Sequence, residues 1–426
     1  MQFQISDSKV GNQVYLGYYL GNKSYIKDST TIDQNGKFHF SYSTPLDQGI
    51  YMIVFPEESN SYFEFLIDED QQFEINTKQS ELVNSASIKG SSVNTQFFSY
   101  MKKIESFKMM SEKADSIQKE AINKDYELYK TNFIAANSSN LVGKLLQFNE
   151  RPNIPENLTD PTEQFYYYKS HFFDSKDFNF NGLIRSQFYH NLLTEYIEKL
   201  TYQTPDSLIK ACDLMLSKTS SNKELFKYTL TTLLNKYALD KTVCFDKIYV
   251  HLVNQYYVKN KANWMNETEE SRDQLNKIIE SSKRLESCLC GNTAYDFKLN
   301  DKRDQNKQLS SINAAYTIIL FWDHSGAKTS KIFDFFSQNT SLLKEKNAAF
   351  VSFPISVEIE KNLQFIEKNN FDGVINADIQ DPNLILDTKK YYDIITTPTI
   401  YLLDKDKKII YKRISAEQTI DFIKSL

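Results

Sequence analysis

The sequence predicts a multidomain α+β protein with an N-terminal antiparallel β-sandwich, a central α-helical domain and a C-terminal α/β domain. Six of the 11 glycines fall within residues 1–90, and only Gly143 and Gly182 lie between residues 91 and 290. Glycine serves turns and is costly inside helices, so a turn-rich segment precedes a long helical one. After about residue 292, strand-like and helix-like segments alternate. We therefore expect domains at residues 1–87, 88–288 and 289–426.

The first segment alternates polar and apolar residues with a period of two, as half-buried strands do. Its turn signals recur at the spacing of roughly 8–12 residues that is typical of an antiparallel sandwich. Asn35 and Gly36 predict a hairpin with a type I′ turn, which needs two residues with positive φ. Six or seven strands are expected, six of them at residues 13–21, 23–33, 37–43, 49–55, 61–68 and 71–77.

The middle segment carries apolar residues at helical spacing. Phe97, Met101 and Phe107 share one helical face, and Thr204 followed by Pro205 is a typical helix start. Three prolines between residues 149 and 164 interrupt the helices with a loop. No repeat period is visible, so a solenoid is not supported.

The last segment alternates strands with amphipathic helices and ends in a β-hairpin and a helix. This order predicts a mixed sheet covered on both faces. Strands are expected at residues 295–299, 315–322 and 348–356, helices at 328–346, 357–370, 383–392 and 415–426, and the hairpin at 399–414.

Composition limits the function. The hydrophobic fraction of 41% is sufficient for real cores, and the net charge of −5 offers no basic field for a phosphate backbone, so we expect no nucleic-acid partner. No apolar run approaches the ~20 residues of a membrane span. The sequence opens without a secretory leader, which fits either a cytosolic protein or a mature form whose leader has been removed.

The chain has four cysteines, and two of them form a C-x-C motif. Cys212 and Cys244 lie in apolar helical patterns and are interpreted as small buried hydrophobes. Cys288 and Cys290 are either free thiols in a linker, part of a structural bridge, or a labile redox pair, because a disulfide across two positions closes a strained ring.

Residues 292–426 resemble a thioredoxin-like domain of the TlpA type, the thiol–disulfide interchange proteins of the bacterial envelope. The resemblance rests on "GNTAYDFKLND" (291–301), on "IILFWD" (318–323) and on "ITTPTIYLLDKDKKII" (395–410), which implies a cis-proline at Pro398. With the two upstream segments, which include "YYVKNKANW" (256–264), the chain resembles three-part envelope lipoproteins of Bacteroidota.

The chain departs from this family at its active site. Relatives begin a helix with Cys-x-x-Cys, where the helix N-terminus stabilises a thiolate. Aligning the motif places Gly326 and Thr329 at the two cysteine positions, and neither side chain can exchange disulfides. His324 and Ser325 suggest neither a hydrolase nor a metal site, because no third partner or second ligand is visible.

The resemblance also implies a peptide-binding groove that does not need thiols. Thr396, Thr397 and Pro398 would pair through main-chain hydrogen bonds with an extended segment, and Trp322 and His324 would line the same groove. The alternative is that the proline is retained only because the fold requires it. No catalytic residue, cofactor or metal is expected.

The favoured interpretation is a non-catalytic thioredoxin-like protein of the cell envelope. It would bind or scaffold other envelope or outer-membrane proteins as a subunit of a larger complex. Its localisation would be the periplasm or the outer membrane, with membrane association only through a lipid anchor that precedes this numbering. The alternative is a thiol–disulfide oxidoreductase that uses a displaced Cys288/Cys290 pair.

Overall fold

The structure is a computed structural model that describes residues 1–57, 59–259, 268–301, 304 and 306–426. The chain forms two compact units, one of Met1–Gln203 with Lys210–Thr231 and one of Thr204–Ile209 with Thr232–Leu426. The three domain boundaries expected from the sequence stay a prediction. Residues 260–264 of the "YYVKNKANW" segment lie outside the described residues.

The first unit begins with two four-stranded sheets, ordered β4-β1-β7-β8 and β3-β2-β5-β6. All six strands expected from the alternating pattern are present, and β1 and β8 are additional. The strands are β1 (Gln2–Ser6), β2 (Gln13–Leu20), β3 (Lys23–Thr31), β4 (Lys37–His39), β5 (Gly49–Phe55), β6 (Ser61–Ile67), β7 (Glu74–Lys78) and β8 (Ser87–Lys89).

Two details of the predicted sandwich differ. The strands β1 and β7 pair in parallel, whereas the other pairs in these two sheets are antiparallel. The Asn35-Gly36 prediction of a type I′ hairpin is wrong, because only Gly36 has a positive φ and the strands on either side join different sheets. Instead, the Asp33 carboxylate accepts hydrogen bonds from the N–H groups of Asn35 and Lys37 and forms a corner between the sheets.

Aromatic and β-branched residues from both sheets form one core. Phe3 and Ile75 from one sheet contact the same cluster as Ile53 and Phe65 from the other, and all four are essentially inaccessible to solvent. These residues stand at alternate positions on their strands, so the period-two pattern buries one face of each sheet. The result is the sandwich that the sequence predicts.

The middle of the chain is helical, as predicted, and the proline-rich loop separates α3 from α4. The helices are α1 (Ser92–Glu112), α2 (Ser116–Ala136), α3 (Leu141–Asn149), α4 (Pro161–His171), α5 (Phe188–Glu198), α6 (Pro205–Lys218), α7 (Lys223–Leu239), α8 (Asp246–Leu252) and α9 (Glu269–Glu286). None of the described helices is both long and apolar enough to cross a membrane.

The second unit contains a five-stranded mixed sheet with the order β11-β10-β9-β12-β13. The strands β9, β10 and β11 are parallel, and β12 runs antiparallel to β9 and to β13. The strands are β9 (Tyr316–Trp322), β10 (Ala348–Pro354), β11 (Val374–Asn376), β12 (Thr399–Leu403) and β13 (Ile409–Ile414).

The helices of this sheet follow the prediction closely. They are α10 (Thr329–Gln338), α11 (Thr340–Glu345), α12 (Ile359–Asn369), α13 (Pro382–Tyr391) and α14 (Ala416–Lys424). The expected helix 328–346 is divided at Asn339, and the expected strand 295–299 is wrong, since only isolated bridges form there. Apolar side chains on the two faces of the sheet belong to two separate clusters, so the sheet is buried on both sides.

Candidate functional site

The candidate site lies where β9 ends and α10 begins. Asp323 follows the last residue of β9, and α10 starts at Thr329. The next strand beside β9 places Thr399 opposite Phe321, so the segment before β12 runs next to this loop. The carboxyl end of a central strand and a helix N-terminus therefore meet at one place, where sheets of this class bind ligands.

Asp323 organises the loop. Its Oδ1 accepts hydrogen bonds from the N–H of Ser325 at 2.8 Å and from the hydroxyl of Ser325 at 2.6 Å. Its backbone carbonyl accepts from the N–H of Gly326 and from the Thr329 hydroxyl, both at 3.1 Å. One residue thus satisfies donors on both sides of the turn, as an aspartate in a local turn often does.

The same contacts set the charge of Asp323. Partial burial raises the pKa of this carboxyl, but the hydrogen bonds from Ser325 lower it, and the charges of His324 and Lys389 act in the same direction. The net pKa lies below the ordinary value, so the carboxylate is ionised at neutral pH.

Gly326 and Thr329 face each other across the loop, as the two cysteine positions of the family would. A Cβ at position 326 would lie 3.9 Å from the Thr329 Cβ and 2.7 Å from its Oγ1. Disulfides have a mean Cβ–Cβ distance of about 3.8 Å. The loop backbone therefore brings positions 326 and 329 to a distance that a disulfide would suit, with the buried Thr329 hydroxyl at one position and no side chain at the other.

The His324 side chain is largely buried and lies close to two residues outside the loop. Its side chain is 17% exposed, and its Nδ1 lies 3.3 Å from the Asn362 Oδ1. Its Nε2 lies 3.7 Å from a Glu358 carboxylate oxygen. Within the described part of the chain, no group of three His, Cys, Asp or Glu side chains could hold a metal ion.

Trp322 does not line the groove, and its assignment to that surface is wrong. The indole is fully buried, stacks against Phe365 with ring centroids 4.6 Å apart, and donates from Nε1 to the Ser352 hydroxyl at 2.9 Å. The buried position satisfies the polar N–H as well as the apolar ring. Trp322 therefore belongs to the buried core at the end of β9 and not to the surface of the groove.

The segment before β12 presents an exposed backbone. The Thr397–Pro398 peptide bond is cis, as the resemblance implies. Ile395 is 72% exposed. Within the described residues, the N–H groups of Ile395, Thr396 and Thr397 donate to no protein acceptor. These donors are available to a ligand beside an exposed apolar side chain.

The cysteines are arranged differently from the sequence interpretation. Cys290 forms a disulfide with Cys244, at a Cα–Cα distance of 5.6 Å, so a Cys288–Cys290 pair is wrong and Cys244 is not an unpaired hydrophobe. Cys288 and Cys212 belong to no disulfide and are fully buried, and the prediction that Cys212 is a small buried residue is confirmed. The spacing in sequence favoured a local pair, whereas disulfide formation depends on distance in space.

The strand order, the helix at the end of β9 and the cis-proline before β12 together define a thioredoxin-like fold for the C-terminal part of the chain. Its active-site loop contains no cysteine. Two family models also match: a domain of unknown function (DUF4369) at residues 2–97 and a domain of unknown function (DUF5106) at residues 134–281.

Solved structures are similar to between about a third and about two thirds of this chain. A thioredoxin-like protein from Bacteroides caccae is 18% identical over 65% of this chain and 98% of its own, with a TM-score of 0.48. A domain of a possible thiol-disulfide isomerase from Cytophaga hutchinsonii is 31% identical over 32% of this chain and 92% of its own, with a TM-score of 0.27. A thiol-disulfide oxidoreductase from Bacteroides fragilis is 22% identical over 32% and 98%, with a TM-score of 0.28. The sequence matches none of the curated proteins with which it was compared.

Proposed function

We propose that this protein is a non-catalytic thioredoxin-like binding subunit that holds other envelope or outer-membrane proteins through the edge beside its former exchange site. The observation that carries the proposal is the contrast within this site. Gly326 and Thr329 stand where exchange needs two thiols, while the neighbouring segment keeps N–H donors at Ile395–Thr397 that have no acceptor within the described residues.

The chemistry of the loop supports binding rather than disulfide exchange at this position. A threonine hydroxyl does not ionise near neutral pH and cannot form a mixed disulfide. The Thr329 hydroxyl is also committed to the Asp323 carbonyl. A dithiol mechanism at this loop therefore lacks both its nucleophile and its resolving group.

The surface beside the loop suits an extended peptide with apolar side chains. Main-chain donors at Ile395–Thr397 can pair with the carbonyls of an added strand, and such pairing needs no particular side-chain sequence. The exposed side chains of Ile395 and Tyr391 supply apolar contact, at 72% and 42% exposure. We propose an extended segment of a partner protein as the ligand.

The test is affinity purification of the tagged protein from its native envelope in mild detergent, with partners identified by mass spectrometry. A stoichiometric partner is expected, and Ile395→Asp should reduce its recovery at least about tenfold, the loss expected when a central interface residue is removed. Ile117→Asp is the matched control, because Ile117 is an equally exposed isoleucine, at 83%, outside the groove. A protein that is recovered alone, or equal recovery with Ile395→Asp, would contradict the proposal.

Reductase assays test the non-catalytic part separately. The loop at residues 323–329 should not raise the rate of insulin reduction above the uncatalysed rate. A substantial rate that persists when Cys244 and Cys290 are both changed to serine would show that another group catalyses exchange. The envelope location is tested by fractionation of native cells, where a purely cytosolic distribution would refute it.

A further inference from the structure

Three of the four cysteines gather along the outer edge strand of the thioredoxin-like sheet. Residues 291–292 run beside β13, because Gly291 N–H donates to the Ile409 carbonyl and Ile409 N–H donates to the Asn292 carbonyl. The Cys244 sulfur of the disulfide lies 3.6 Å from the Ile410 carbonyl oxygen. This contact places the disulfide at the beginning of β13, with the Cys288 segment next to it.

A buried ion pair lies close to this disulfide. The Lys412 ammonium pairs with the Asp246 carboxylate, and their side chains are 3% and 17% exposed. The Lys412 Nζ also lies 3.5 Å from the Cys288 sulfur. Since Asp246 is two residues after Cys244, residues 244–246 are attached twice, covalently to Cys290 and by an ion pair to Lys412 in β13.

The three cysteine residues differ in how much of each is exposed to solvent. Cys244 and Cys290 are both partly exposed, whereas Cys288 is completely buried behind the strand. Cys244 also has a φ of +69°, a backbone region that residues other than glycine rarely adopt. A disulfide between two cysteine residues that are both partly exposed is a better target for an external thiol than a fully buried one.

We propose that the Cys244–Cys290 disulfide is a thiol-exchange site that a dithiol protein reduces, so that the covalent attachment of residues 244–246 to the Cys290 segment beside β13 depends on redox state. The ion pair of Asp246 with Lys412 keeps the segment docked after reduction, which holds the two sulfurs near each other and makes the reaction reversible. This site is separate from the loop at residues 323–329 and does not rest on the proposed binding function.

The reaction is an ordinary two-electron exchange. One thiolate of the dithiol attacks the Cys290 sulfur, the bond to Cys244 breaks, and the Cys244 sulfur leaves as a thiolate that takes up a proton. The second thiolate of the dithiol then attacks the dithiol's own sulfur in the mixed disulfide. The bond to Cys290 breaks, and the Cys290 sulfur leaves as a thiolate and is protonated. The dithiol ends as a disulfide, and Cys244 and Cys290 end as two thiols.

The experiment uses the full chain and dithiothreitol as the dithiol. The folded protein is treated with dithiothreitol, and the exposed thiols are alkylated with a first reagent. The protein is then denatured, and the remaining thiols are alkylated with a second reagent. Cys244 and Cys290 should take the first label at least about tenfold faster than Cys212 and Cys288, because buried thiols need local unfolding. The two buried cysteines are thus internal controls in the same sample.

Two results would overturn the proposal. Labelling of all four cysteines without any reductant would show that the disulfide is absent. If Cys244 and Cys290 are labelled only at denaturant concentrations that also expose Cys212, the disulfide is a structural bridge that is not reduced in the folded protein. Neither outcome would affect the partner recovery with Ile395→Asp, so the two proposals fail separately.

The role of the ion pair is tested by reoxidation with oxidised dithiothreitol. Asp246→Asn should slow reoxidation, whereas Asp206→Asn, which breaks the exposed pair with Lys247, should not. Circular dichroism verifies that each variant is folded, and Asp246→Glu, with an intermediate expected rate, replaces Asp246→Asn if that variant is unfolded. Equal reoxidation rates in wild type and variant would exclude the docking role.

Discussion

The loop at residues 323–329 follows strand β9, and β13 is the edge strand of the same sheet. The two regions are stabilised by different kinds of contact. The loop contains no sulfur and is closed by hydrogen bonds between residues at most six positions apart. At β13, a disulfide spans 46 residues, and Lys412 pairs with Asp246 from a distant part of the chain. The disulfide of this protein therefore does not lie where its fold resemblance would place a cysteine pair.

This difference predicts unequal responses to substitution. Local hydrogen bonds at a partly exposed loop are replaced by water when they are removed, and their net contribution is small. Long-range covalent and buried ionic contacts restrict the unfolded chain or leave a buried charge unpaired when they are lost. We expect β13 to be sensitive and the loop to be tolerant.

The largest effect is expected from the disulfide. Replacing Cys244 and Cys290 by serine frees a loop of 46 residues and should lower the free energy of unfolding by about 4 kcal/mol. Urea unfolding measures this loss. Reduced wild-type protein should match the variant, and the variant itself should not respond to dithiothreitol. If the urea midpoint of wild-type unfolding does not change when reductant is added, the predicted stabilisation by the disulfide is wrong.

The next effect is expected from the buried ion pair. Asp246→Asn leaves the Lys412 ammonium, which is 3% exposed, without its carboxylate, and should destabilise the protein by about 3 kcal/mol. Lys344→Ala, which removes an exposed pair with Asp372, should change stability by less than about 1 kcal/mol. Similar losses in the two variants would show that the Asp246 pair is effectively solvated.

The sequence predicts the elements of both regions better than their contacts. Continuous apolar runs identify β9, β10 and the first strand of the β12–β13 hairpin, because burial on both faces of the sheet leaves no alternation with polar residues. β11 was missed because three residues are too short to show a period. The Asp323–Ser325 turn could have been recognised from the residue types alone.

The contacts at β13 depend on folding at long range. The C-x-C motif suggested that Cys288 and Cys290 act together, yet Cys290 bonds to Cys244, 46 positions away. Cysteine spacing does not determine connectivity. Asp246 and Lys412 both lie in apolar segments without any local signal of a partner. Trp322 was placed in the groove from its neighbourhood in sequence, but its burial depends on Phe365 and Ser352.

A third prediction concerns a disulfide introduced into the loop, comparable to the one beside β13. Gly326→Cys combined with Thr329→Cys places two sulfurs on Cβ positions 3.9 Å apart, a distance that suits a disulfide. We expect it to form, to stabilise the protein by about 2 kcal/mol because the closed loop is short, and to support insulin reduction. Thiol counting with and without reductant measures the bond, and Gly326→Cys alone is the control. Two permanently free thiols would show that the loop backbone no longer fits the exchange site.

The smallest expected effect is a pH dependence at the loop. Burial raises the pKa of Asp323, but the hydrogen bonds from Ser325 bring it below the ordinary value of 3.8, so the folded state favours the ionised form. Its contribution to stability is therefore fully present above the unfolded pKa and is lost as the pH falls through the folded one.

Ser325→Ala removes the hydroxyl donor and should cost about 1 kcal/mol at neutral pH, with the difference from wild type shrinking below about pH 4 as the carboxyl is protonated. Unfolding in urea at several pH values measures this difference, and Ser330→Ala, at an exposed residue of α10, should show none at any pH. A Ser325→Ala difference that stays constant down to pH values well below 4 would mean that the serine stabilises the loop without acting on the Asp323 charge. The loop would then be stabilised by contacts that do not depend on the charge of Asp323, and the contrast between the loop and β13 would narrow to one of distance along the chain.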